Sequence, residues 1–266
     1  MTSVYLDLTR EFNHGRTRAV LSSGQAVVFH RLAIMSKDGD WIIREDEEAL
    51  DHLLAVLARH NATCRCGAPL DRRWLEHGWS SHFEFSLDGL RVRTDFVSRP
   101  PRLGPAPLAE LWSRAEGADP PVIAIDHLIE LKKTNRERDY AVIGELARRL
   151  TDPRSALRQS RSARDLLALV GQHPELLAAA AAERPALTAA ADGEDALGAA
   201  LDSERRQLIK KNEERLALFL AAAQPWRQHW IALERSLVGL PLAEAHRRLV
   251  AAAEIRLPQA VPGGWP

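Results

Sequence analysis

The stretch Ser22-Ser23-Gly24-Gln25-Ala26, followed by Ser36-Lys37-Asp38-Gly39-Asp40, decides how this chain reads. A turn of small residues starts a helix, and Asp-Gly-Asp then opens a short strand, Asp40–Ile43 (DWII). Residues i and i+2 of a strand face the same side, so Asp38 and Asp40 converge on a common cation. Carboxylates held that close repel each other unless a metal or a proton intervenes. Mg²⁺ takes oxygen ligands and suits one or two carboxylates together with substrate phosphates. A further carboxylate on an adjacent strand would complete a two-metal site. Asp95 is the candidate, because it interrupts the strand-like run Val92-Arg93-Thr94-Asp95-Phe96-Val97, where an unpaired buried charge is costly. Ser22, Ser23 and Gly24 leave room for a phosphate near the backbone, and the helix after them offers its N–H groups and positive dipole end.

Working outward, residues 15–150 mix strand-like and helical runs. Arg18–Ser22 reads as a short strand, and His82–Ser86 and Leu90–Val97 alternate apolar and polar residues. Leu87-Asp88-Gly89 lies between the last two, and Asp-Gly is a strong hairpin signal. Val122–Ile125 reads as another strand. Glu45–His60 puts Leu50, Leu53, Leu54 and Leu57 on one helical face. Asp126 is placed to cap a helix through Leu131, Tyr140–Leu150 forms the next helix, and the Pro-rich Arg99–Pro107 reads as a loop. Beyond Thr151-Asp152-Pro153 the strand signals stop. Candidate helices there are Ser162–Gly171, Pro174–Glu183, Asp195–Ala223, Trp226–Val238 and Leu242–Glu254, punctuated by Pro and Gly, with an irregular tail over Pro258–Pro266. The expected fold class is α+β: a mixed sheet flanked by helices in residues 1–152, then an all-helical region in residues 153–266.

The order small-residue turn, helix, Asp-x-Asp strand, helix, later strand with Asp resembles the minimal nucleotidyltransferase family of the polymerase-beta superfamily, including its abortive-infection type branch. Ser23-Gly24, Asp38, Asp40 and Asp95 match the family's turn and carboxylates. The segment Val122–Asp139 matches its apolar strand, Lys-bearing helix and basic stretch ending in Asp. The likeness covers residues 15–150. It departs at Ser23, where the family's turn has Gly. It departs at Gly39, which replaces a β-branched residue and predicts a looser strand start. It departs again at Val142, where the family often has a carboxylate.

The resemblance implies an enzyme that moves a nucleoside monophosphate from a nucleoside triphosphate to an acceptor hydroxyl on RNA, a protein or a small molecule. Asp38, Asp40 and Asp95 would be its catalytic and metal-binding residues, with a pair of Mg²⁺ ions. Ser23, Gly24, Lys37, Lys132, Lys133 and Arg136 would contact the nucleotide. A toxin-like or stress role with an antitoxin-like partner is implied by the branch. The alternative is a non-catalytic module that keeps the fold and binds nucleotide or a partner protein.

Other features read more plainly. The chain's 36 basic and 36 acidic residues balance, so no global charge draws it to nucleic acid or to an anionic membrane. Charges within Met1–Arg10 argue against a signal peptide, and no apolar run reaches the roughly 18 residues of a membrane span, so a cytoplasmic, non-membrane protein is expected. His60, Cys64, Cys66 and His77 fit no standard zinc spacing. Trp74, Trp79, His82 and Phe83 read as core or pocket wall, with base stacking as the alternative. The charge-dense Glu204–Arg215 reads as an exposed helix face. For Lys132, Lys133, Arg136 and Arg138 the competing reading is a solvated helix face, and for Asp139 it is pairing with a nearby Arg.

Overall fold

The computed structural model describes residues 3–261. In chain order its elements are α1 (Val4–Phe12), β1 (Ala19–Ser22), α2 (Ser23–Phe29), β2 (Gly39–Ile43), α3 (Glu47–Arg59), β3 (Thr63–Cys64), α4 (Arg72–Leu75), β4 (Ser81–Leu87), β5 (Leu90–Val97) and α5 (Pro105–Ala115). There follow α6 (Ile125–Lys132), α7 (Glu137–Ala147), α8 (Pro153–Gln159), α9 (Ala163–Gln172), α10 (Leu177–Glu183), α11 (Glu194–Leu237) and α12 (Leu242–Arg256), with 3₁₀ turns at Pro174–Leu176 and Pro185–Asp192. The fold is α+β, with a mixed sheet and a long helical C-terminal region. No helix among the described residues is long and apolar enough to cross a membrane. The expected irregular tail holds over Pro258–Val261, and the remainder of that expectation lies outside the described residues.

Among the described residues the sheet has five strands in the order β1-β2-β5-β4-β3. β1 runs antiparallel to β2, β2 parallel to β5, and β5, β4 and β3 antiparallel in turn. Local chemistry explains the hairpin. Leu87 pairs with Leu90, which leaves Asp88 and Gly89 as a two-residue turn with φ of 49° and 78°. Positive φ at both positions is the turn whose twist matches that of the flanking strands. Asp46 accepts a hydrogen bond from the Ala49 N–H and so caps α3, whose Leu50, Leu53, Val56 and Leu57 face the core. That core joins Leu8 and Phe12 of α1 to Trp41, Phe83, Val92 and Phe96 on one face of the sheet.

The molecule divides into two compact units. One comprises residues 1–123 with 215–266, the other residues 124–214. Helices α6, α7 and α8 pack together within the second unit. Leu157, Leu166, Ala180, Leu187, Leu197 and Leu201 form that unit's own core.

Four local expectations change. Val122–Ile125 is not a strand: Val122 makes a single parallel bridge to Leu21, and α6 begins at Ile125. Asp126 sits inside the first turn of α6 behind Ala124, the N-cap residue. Pro105 starts α5 at a first-turn position, where its missing N–H costs nothing, so the expected Arg99–Pro107 loop ends early. Pro225 does not separate two helices, because α11 runs through it as one element.

Candidate functional site

The aspartates are positioned by strand register. Asp40 of β2 is the direct partner of Asp95 on β5. Asp95 is in turn the partner of His82 on β4, and Asp40 that of Ser22 on β1. Ser22, Asp40, Asp95 and His82 therefore form one row across four neighbouring strands. Asp38, just before β2, lies two residues from Asp40. Alternation sends Thr94 and Phe96 to the buried face and Arg93 and Asp95 to the other.

Gly39 explains how the acidic start of β2 is held. A Cβ at that position would lie 2.4 Å from Cη2 of Trp41 and 2.5 Å from Cδ1 of Tyr5. The two rings close over the strand, and Gly39 is buried between the more exposed Asp38 and Asp40. The looser strand start expected from a glycine is thus not found: the missing side chain is what lets the rings pack. The Tyr5 hydroxyl donates to the Lys37 carbonyl oxygen at 2.8 Å. Burial raises the Tyr5 pKa, and the negative charges of Asp38 and Asp40 raise it further.

Like charges directly opposite on paired strands are destabilising. Here cations lie around them. Oδ1 of Asp95 accepts from Arg65 Nη1 at 3.0 Å and from His82 Nδ1 at 2.7 Å. Oδ1 of Asp38 takes a longer contact from Arg93 Nη1 at 3.4 Å. Both side-chain contacts on Asp95 fall on the same carboxylate oxygen. His82 Nε2 lies 2.8 Å from Ser80 Oγ. The imidazole thus bridges the Asp95 carboxylate and the Ser80 hydroxyl through its two ring nitrogens.

The turn entering α2 carries strain. Ser23 has φ of 52°, in the left-handed region that favours glycine. Ser22 Oγ donates to the Asp40 carbonyl oxygen at 3.1 Å, which ties the turn to the aspartate strand. A Cβ on Gly24 would lie 2.2 Å from Ser36 Oγ, so the space that Gly24 leaves is taken by that hydroxyl. Gln25 Nε2 donates to the Ser36 carbonyl oxygen at 2.9 Å and holds the connecting loop over the helix.

Lys37 is exposed beside the aspartates. Lys132, Lys133 and Arg136 belong to the second compact unit. Lys132 is buried, and Lys133 Nζ donates to Glu130 Oε1 at 2.6 Å. Arg136 Nε donates to Asp139 Oδ2 at 2.9 Å, and the same oxygen accepts from Thr134 Oγ1 at 2.6 Å. Asp139 is therefore paired with its neighbouring arginine, and Lys132 and Lys133 do not lie on a solvated face.

Sequence reasoning missed Arg65, Ser80 and Arg93, and it read His82 as pocket wall. His82 was findable, because a two-residue turn at Asp88-Gly89 makes it the partner of Asp95. The Cys64 thiol is pushed up to about 12 by burial, and that of Cys66 is raised by burial as well.

No protein-family model matches this chain, and no curated protein matches it in sequence. Among solved structures, a match is found to an H. pylori protein that is provisionally designated a nucleotidyltransferase. The identity is 14% and the TM-score 0.39, over 79% of this chain and 94% of that one. A likeness that distant bears on neither activity nor substrate.

Proposed function

We propose that this chain is a Mg²⁺-dependent nucleotidyltransferase that moves a nucleoside monophosphate from a nucleoside triphosphate to an acceptor hydroxyl. The observation that carries the reading is the direct pairing of Asp40 with Asp95 on neighbouring parallel strands, with Asp38 two residues away. The donor chemistry fits the ion. Three carboxylates at the end of a parallel strand pair offer hard oxygens, and their mutual repulsion favours a divalent cation between them. Bound there, the metal would neutralise charge on the triphosphate and on the entering and leaving oxygens.

The chain's own residues do the rest. Asp38 and Asp40 hold the triphosphate end, and Ser23 with the Ser36 hydroxyl line the turn where its phosphates approach the backbone. The acceptor oxygen attacks the α-phosphorus, the bond from that phosphorus to the bridging oxygen breaks, and pyrophosphate leaves. The acceptor's proton passes to Asp95, whose other oxygen is fixed by Arg65 and His82. The roles of Lys37, Lys132, Lys133 and Arg136 in nucleotide binding, like a toxin-like role with a protein partner, rest on the family resemblance alone.

A second reading has an observation in its favour. Arg65 on Asp95 and Arg93 near Asp38 already supply positive charge, and His82 a hydrogen bond, as they would in a module that no longer uses a metal. Incubation with Mg²⁺, each α-labelled nucleoside triphosphate and total RNA or cell extract separates the two. Transfer of label by the wild type, lost in Asp38→Ala/Asp40→Ala, is the expected result. Absence of both transfer and Mn²⁺ binding in the wild type would leave the non-catalytic module.

A further inference from the structure

Arg65 reaches across two strands to its partner. Its backbone N–H donates to the His82 carbonyl oxygen at 2.8 Å, which carries the β3–β4 pairing one residue further. From there the side chain crosses β4 to β5, where Nη1 donates to Asp95 Oδ1 at 3.0 Å. On the way its Nε stands 3.5 Å from Glu84 Oε2. One guanidinium thus lies between two carboxylates, hydrogen-bonded to one and in a looser ion pair with the other. All three residues belong to the first compact unit, and all three side chains are partly buried.

A divalent cation and this guanidinium are rivals for the same carboxylate. Two positive charges that close repel strongly at a partly buried site. A lysine could relieve the conflict by losing its proton, but an arginine in a protein stays charged, so relief has to come from movement. Glu84 offers the place to go. Arg65 already stands within ion-pair distance of it, and a small shift brings Nε to ordinary hydrogen-bond length. Glu84 Oε2 also accepts from Arg91, at 3.1 Å from Nε and 2.6 Å from Nη2. An ionised carboxylate has about four lone-pair sites, so it can accept a second guanidinium.

We propose that Arg65 is the counter-ion of Asp95 in the metal-free protein and moves to Glu84 when a divalent cation takes that carboxylate, with Glu84 as the positioning residue that sets how readily it leaves. The cation rests on the nucleotidyltransferase reading, while the placement of Arg65 between two carboxylates comes from the structure itself. By linkage, whatever strengthens Arg65 on Asp95 weakens the cation by the same factor, and whatever strengthens Arg65 on Glu84 does the reverse. The arrangement neutralises Asp95 opposite Asp40 before metal arrives, and it makes Arg65 a brake on metal loading.

The test is Mn²⁺ titration of the full chain without nucleotide, read by electron paramagnetic resonance, with Asp38→Ala/Asp40→Ala tying the bound ion to this site. Arg65→Gln is expected to tighten Mn²⁺ binding about fivefold or more, the low end of coupling between linked sites. Glu84→Gln should loosen it, because Arg65 then has Asp95 alone. The two changes together should depart from additivity by about threefold or more, since Glu84 acts through Arg65. Arg91→Gln removes the same charge from the same sheet face without touching Asp95, and should tighten binding less than Arg65→Gln does. Should Arg65→Gln fail to fold, as circular dichroism would show, Glu84→Asp decides. It keeps the charge and shortens the reach, so loosened binding upholds the proposal and unchanged binding overturns it. Unchanged or weaker Mn²⁺ binding in folded Arg65→Gln, additive effects of the Arg65 and Glu84 changes, or equal tightening by Arg91→Gln would each overturn it as well. Failure of the wild type and Arg65→Gln alike to bind Mn²⁺ would take the nucleotidyltransferase reading down too, whereas wild-type binding that Arg65→Gln leaves unchanged overturns the brake alone.

Discussion

At position 39 a methyl group would meet Trp41 and Tyr5 at 2.4 and 2.5 Å. Neither ring has an easy retreat. Trp41 is fully buried against Phe12 and Phe96, and its Nε1 donates to Thr9 Oγ1 at 2.9 Å. Gly39→Ala should therefore cost about 1–3 kcal/mol, the usual range for overpacking a filled core, read as a lower urea midpoint. An unchanged midpoint would mean that the rings are not held as the packing indicates. The aspartates on either side were legible in the sequence, since Asp-x-Asp at a strand start needs only strand alternation to be read. Gly39 was not, because its reason is a pair of rings, one of them 34 residues earlier in the chain. Arg65 was hidden for the same cause: nothing near it in sequence announces that its guanidinium reaches Asp95.

Among the elements, the β4–β5 hairpin shows what local chemistry specifies and α11 shows what it does not. Asp88-Gly89 sets the hairpin register, and that register places His82 beside Asp95. Strands β1, β2, β4 and β5 were all readable from alternation and turns. Pro225 reads as a break because proline lacks an N–H and its ring clashes with the carbonyl one turn earlier. The helix nonetheless continues, with Ala223, Trp226, Trp230 and Leu233 around that point buried against Trp74 and Trp79. Tertiary packing has overridden a local penalty worth up to about 3 kcal/mol. Pro225→Ala should accordingly raise the thermal midpoint, by an amount equivalent to about 1–2 kcal/mol. A drop in the midpoint would show instead that the proline's backbone shape is required to seat Trp226. Helix α1 escaped sequence reading because its apolar face has meaning only against the sheet it covers.

For the whole molecule, the second compact unit turns on one carboxylate. Glu204 accepts a two-pronged contact from Arg184, at 3.0 Å and 2.9 Å. Arg184 itself is buried and also donates to the carbonyl oxygens of Leu157 and Ser160 at 2.9 and 2.8 Å. Burial alone would raise the Glu204 pKa. The Arg184 hydrogen bonds, with the charges of Arg184 and Arg161, outweigh it and hold the carboxyl below its usual range. Burial lowers the Arg161 pKa, yet its guanidinium stays charged and also donates to Glu204 Oε2, at 2.5 Å. A carboxyl depressed in the folded state stabilises it above the unfolded value, about pH 4.3, and that contribution fades as pH falls through the lower folded value. Unfolding followed by hydrogen exchange in residues 124–214 should therefore show a loss of stability below about pH 4.3 that Glu204→Gln largely abolishes. At neutral pH the same variant should cost on the order of 3 kcal/mol, because it removes one side of a mostly buried pair. An acid profile that is identical in wild type and variant would rule Glu204 out as its origin. The charge-dense stretch beginning at Glu204 looks like an exposed helix face in sequence, and only the fold turns its first residue inward.

The row formed by Ser22, Asp40, Asp95 and His82 also limits how this chain can change over generations. Strand side chains alternate with a period of two, so one residue inserted within β2 or β5 would bring Gly39 or Thr94 into the row and drive an aspartate toward the aromatic core. Insertions in the connecting loops leave the row untouched. Length variation among descendants should thus collect between the strands, while the strands themselves admit exchanges of residue but not of number.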